Sequence, residues 1–89
     1  MSESPTLGAL WRRGEIRRAD LDAVVDAYLA DPAASRLPLA GRYVVDVAAA
    51  LTARPISRRA LADKKAEDGV RAIAVFNAIV QAAAEPGNP

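Results

Sequence analysis

Few side chains in this sequence are able to do chemistry. Histidine and cysteine are both absent. That removes imidazole bases, thiol nucleophiles, haem ligation, disulfides and every zinc site built on those ligands. Carboxylates, lysine, tyrosine and serine remain for acid–base work. Asp22 and Asp26 are four residues apart, a spacing that projects both carboxylates from one face of a helix, where a pair can move protons or help hold Mg²⁺. No further ligand accompanies them, and Arg18 stands one helical turn before Asp22 as a ready neutraliser. Asp46 interrupts the apolar run Val44-Val45-Asp46-Val47-Ala48, and a carboxylate buried there would be a functional candidate. Arg42 precedes it by four residues, so on a helix the two form an exposed ion pair on an alanine-lined face, and that is the expectation. Lys64, Glu67, Asp68 and Arg71 read as a solvated helix face of opposite charges. No phosphate-cradling glycine loop, nucleophile elbow or dinucleotide fingerprint is present. The residues point away from an enzyme: no catalytic, cofactor-binding or metal-ligating set, no cofactor and no small-molecule substrate is expected.

The elements that must position these residues are set by a modest apolar content. The chain has 89 residues, enough for a single domain, and is 52% hydrophobic, yet 21 of its residues are alanine. The remaining large apolar side chains offset the conformational entropy of a compact fold only narrowly, at roughly 1.5–3 kcal/mol for each one fully buried. A domain of this length buries only about 60–65% of its unfolded surface. A protein partner or a second copy is therefore expected to share the load.

Net charge is +1, too balanced to imply nucleic acid or membrane by itself. The charges are blocked, however. Residues 1–18 are net basic, 19–35 hold four aspartates and no base, 36–65 are strongly basic, and 66–89 are net acidic. Such blocks suit helices that pair with one another or a molecule with one acidic and one basic face. No apolar run approaches the ~18–20 residues of a membrane span, and Met1–Pro5 lacks the features of a signal peptide, so a cytoplasmic protein without a membrane partner is expected. Arginine over lysine with abundant alanine is the bias of a GC-rich bacterial genome.

Helix punctuation is clear and strand alternation is not seen, which predicts an all-α fold: a four- or five-helix bundle with an apolar C-terminal helix as its central strut. Residues 1–5 are expected to be a leader, 6–84 the helical domain and 85–89 a frayed tail. Ser4-Pro5 predicts a cap and first helical position, with Gly14 closing a short helix over Thr6–Arg13. Leu21, Val24, Val25, Tyr28 and Leu29 form one buried stripe of a helix over about Arg18–Ala30, stopped by Asp31-Pro32. A third helix is expected from Leu39 to Ala53, with Tyr43, Val44, Val47 and Leu51 on one face and Arg54-Pro55 as its stop. Ser57 is then the expected N-cap, with Ile56 as a hydrophobic staple. Helical pattern continues to Ala84, as one helix or as two joined near Glu67–Gly69. Its last part is apolar around most of the circumference, as expected in a bundle centre or an oligomer seam.

Two functions follow. The first is a small non-catalytic interaction module, an adaptor or regulatory subunit that self-associates. Its candidate interface is Val70, Ile73, Phe76, Val80 and Trp11. The second is a DNA-binding regulator. Val45–Ala49 followed by Ile56–Leu61 resembles a helix-turn-helix, with Arg58, Arg59, Lys64 and Lys65 offered to phosphates and base edges. That pattern lacks the usual turn glycine, runs about three residues long, and carries acids on the same helix. A third role, an antitoxin or immunity protein capping a charged partner, has no feature of its own in the sequence.

Overall fold

A computed structural model describes residues 5–34, 36–63 and 65–86. The order is α1 (Leu7–Arg12), α2 (Arg18–Ala30), β1 (Arg36–Leu39), β2 (Tyr43–Asp46), α3 (Val47–Thr52), α4 (Pro55–Ala62), α5 (Asp68–Val80) and β3 (Glu85–Pro86). The strands form one antiparallel sheet in the order β1-β2-β3. The fold is therefore mixed α/β, and the all-α helical bundle expected from the sequence is corrected.

The correction falls on the third expected helix. Residues 39–46 form the end of β1, a tight turn and all of β2, so that only Val47–Thr52 is helical. Leu37 and Leu39, then Tyr43 and Val45, alternate toward the core across the turn. Proline at position 38 is tolerated because β1 is an edge strand. The turn is closed by the Arg42 N–H donating to the Leu39 carbonyl at 3.2 Å. Its central residues Ala40 and Gly41 have φ of 57° and 71°, the positive pair of a type I′ turn, with Arg42 as a third loop residue before the Leu39–Tyr43 pair. Glycine adopts this freely, whereas alanine bears a steric cost there. Arg42 and Asp46 consequently make no helical pair. Asp46 instead caps α3, its Oδ1 accepting from the Ala49 N–H at 3.1 Å.

Other boundaries follow local chemistry. Thr6 caps α1, its Oγ1 accepting from the Ala9 N–H at 3.1 Å; Met1–Ser4, most of the expected leader, lie outside the described residues. Gly14, at φ 77°, ends α1 in a Schellman arrangement: the Gly14 N–H reaches the Trp11 carbonyl and the Glu15 N–H the Leu10 carbonyl. The Arg17 N–H donates to Asp20 Oδ2 at 2.8 Å at the start of α2. Proline opens α4, so Ser57 is buried in its first turn and is not the cap, and Ile56 is 77% exposed and staples nothing. The 57–84 segment is two helices, parted at Asp63. The Asp63 side chain accepts from the Lys65 N–H, and the Asp63 carbonyl accepts from Arg71.

Helix α5 packs against α1, α2, α3 and α4. It buries Ala74, Val75, Ala78 and Ile79 among Leu7, Leu10, Leu21, Val24, Val25, Leu39, Val45, Val47 and Leu51. The two ends of the described chain meet: the Leu7 N–H donates to the Ala82 carbonyl and the Ala84 N–H to the Pro5 carbonyl. Glu85 and Pro86, placed by the sequence in a frayed tail, pair with β2 as β3, and Gly87–Pro89 lie outside the described residues. Arg36 reaches over β2 to Glu85 at 3.0 Å.

The turn supplies a test. Ala40→Asn places a residue that tolerates positive φ before Gly41 and should raise stability by about 0.5–1 kcal/mol, read as a higher midpoint in thermal melts followed by circular dichroism. A lowered midpoint contradicts the turn geometry.

Candidate docking face

Carboxylate chemistry gains no support from the fold. Asp22 and Asp26 are exposed on α2, with Arg18 Nε 3.7 Å from Asp22 Oδ1. No group of three or more acidic side chains able to hold a metal ion occurs among the described residues. Among those residues, no helix is long and apolar enough to cross a membrane.

The proposed interface residues are distributed unequally. Trp11 from α1 and Phe76 and Val80 from α5 come together, each partly buried against the core. The Trp11 and Phe76 rings meet edge to face, centroids 5.7 Å apart and planes at 89°, a favoured aromatic geometry. Arg18, a neutraliser of Asp22 in the sequence reading, lies over both rings. Its guanidinium carbon is 4.6 Å from the Phe76 centroid and 5.9 Å from that of Trp11, within cation–π range. No sequence period connects residues 11, 18 and 76, because they sit on three different helices. Ile73 is 61% exposed and Val70 49% exposed, both on the side of α5 turned away from the buried stripe.

Phe76 forms a wall shared by two grooves. The first, between α1 and α5, is lined by Gly8, Trp11, Arg12, Phe76, Val80 and Gln81. The second, between α2 and α5, is lined by Arg18, Asp22, Val25, Asp26, Ile73 and Phe76. Each measures about 460 Å³, a size that small ligands use. Such ligand sites also need several polar groups converging on one point. The first groove is mostly apolar, and of its polar side chains Thr6 is committed to its cap and Gln81 to Arg54. Trp, Phe and Arg at the rim of an apolar groove are instead the side chains that anchor protein interfaces.

Gly8 shapes the first groove. A Cβ at this position would stand 2.9 Å from the Val80 carbonyl oxygen, so glycine lets α1 lie directly on the α5 backbone.

The nucleic-acid candidates lie elsewhere. Arg58 and Arg59 are exposed on α4, Lys65 is exposed in the loop after it, and Lys64 lies outside the described residues. The helix expected to scaffold them is reduced to the six residues of α3, since Val45 and Asp46 belong to β2. Pro55, Arg58, Arg59 and Ala62 line a shallow surface depression on α4.

Compared with family models, curated proteins and solved structures, the chain matches none.

Gly8→Ala should cost about 1–3 kcal/mol through overpacking at the α1–α5 contact. A lower melting midpoint would come with a changed emission from Trp11, the only tryptophan. An unchanged midpoint and spectrum would show that α1 does not lie this close to α5.

Proposed function

We propose that this chain is a small non-catalytic protein-interaction module that docks through the face formed by Trp11, Ile73, Phe76 and Val80. The observation that carries the reading is the position of Ile73. It is a large apolar side chain, 61% exposed, beside a Trp–Phe pair whose rim is held by Arg18. Isolated exposed hydrophobics are ordinary, but one lining a groove rimmed by Arg18, Asp22 and Asp26, with a mostly apolar groove on the far side of Phe76, has the composition of an interface: an apolar centre with a polar rim.

The test is a photo-crosslinking side chain placed at position 73 in cells that express the protein, with the same group at Ala33 as an exposed control. A discrete crosslinked protein band from position 73, lacking from position 33, is the expected result. Its mass identifies the occupant. No band from position 73 overturns the reading.

A second reading, binding to DNA, is favoured by one observation. Arg58 and Arg59 are exposed on the same helix and make no ion pair or side-chain hydrogen bond among the described residues. Fluorescence anisotropy against a random duplex, at roughly 50 and 200 mM salt, decides it. That reading requires binding that falls steeply with salt and is lost in Arg58→Ala/Arg59→Ala. The absence of binding at the lower salt removes it.

A further inference from the structure

We infer that the occupant of this face is a second copy of the same chain, the two related by a two-fold axis; this rests on the docking-face reading above. The face is complementary to itself. It has an apolar knob, Ile73, at one end and an apolar hole, the α1–α5 groove beside Val80, at the other. Knob and hole lie seven residues apart on α5, about 10 Å along the helix axis. When two α5 helices cross antiparallel about a point between residues 76 and 77, Ile73 of each copy meets the groove beside Val80 of the other. A two-fold interface needs this reciprocity, residue i meeting j while j meets i.

The charges follow the same symmetry. Arg12 borders the groove at the Val80 end, and Asp26 borders the groove at the Ile73 end. Both side chains belong to exposed residues, and neither makes an ion pair among the described residues. The antiparallel crossing sets Arg12 of each copy against Asp26 of the other, twice per dimer. A partner that was uniformly acidic or basic would satisfy one end of the face and oppose the other. A second copy satisfies both. Asn77, exposed between Ile73 and Val80, falls beside the axis, where a polar residue in an apolar seam selects register.

The contact is small, one helix face with its flanking rims, so a reversible dimer in the micromolar range is expected. Sedimentation of the full chain across a concentration series should show monomer passing to twice the monomer mass. Ile73→Asp should abolish the dimer. Arg12→Asp and Asp26→Arg each turn two attractive rim contacts into two repulsive ones, weakening self-association by about tenfold. Mixed in equal amounts, these two variants should recover the dimer, because in the mixed pair every rim contact again joins an acid to a base. Circular dichroism melts confirm that each variant is folded. The inference is overturned by a parent chain that stays monomeric to about 1 mM, by single variants that dimerise as the parent does, or by a mixture that does not recover. A monomeric parent whose position 73 crosslinks a different protein overturns the self-pairing alone. A monomeric parent with no crosslink overturns the docking face as well.

Discussion

Helix α5 packs against every other helix, and the rest of the structure depends on how it does so. Its buried stripe is Ala74, Val75, Ala78 and Ile79, two small residues and two β-branched ones. The alanines let neighbours approach closely, and Gly8 does the same from α1, where even a methyl group would meet the Val80 carbonyl oxygen. Close packing on this stripe gives a core with few large side chains the density that folded interiors require. It also has a consequence for the surface. With α1 to α4 all drawn to one side of α5 and its edges, no described element covers the outward side. Val70 and Ile73 therefore face solvent.

Ion pairs contribute little to holding this arrangement. Among the described residues they are Arg13–Glu15, Arg18–Asp22 and Arg36–Glu85, all with exposed side chains, and such pairs are typically worth less than about 1 kcal/mol. Two arginines also work as flat cations. Arg18 covers Phe76 and Trp11, while Arg42 lies over Tyr43 and donates to the Glu15 carbonyl at 2.8 Å. Charge in this molecule thus shapes surfaces. The acidic block of the sequence decorates the outside of α2, and part of the basic block the outside of α4.

How legible the fold was varied by element. Helix α2 could be read closely, because its cap region, five-residue apolar stripe and Asp31-Pro32 stop all agree. The hairpin could not, for two reasons. Its turn carries Ala40-Gly41 in place of the Asn-Gly or Asp-Gly that announces a type I′ turn. Its strands are only four residues long, so Tyr43, Val44, Val47 and Leu51 also fit a helical stripe. The break before α5 was half legible: the sequence offered two helices joined near Glu67–Gly69, and α5 does begin at Asp68, but α4 already ends at Ala62, where the bonds of Asp63 and Arg71 carry no proline or glycine signal.

For the candidate site, sequence alone determined which side chains were available. Composition removed histidine and cysteine chemistry, and the apolar pattern singled out Trp11, Val70, Ile73, Phe76 and Val80 as a candidate interface. Tertiary structure decided their roles. It set Phe76 as the wall between two grooves, brought Arg18 over the aromatic pair, and left Ile73 outside while Ile79 went in. Those outcomes depend on angles between helices far apart in the chain, fixed by whole-molecule packing on α5. A periodicity within one segment carries no record of which of its faces another segment will claim.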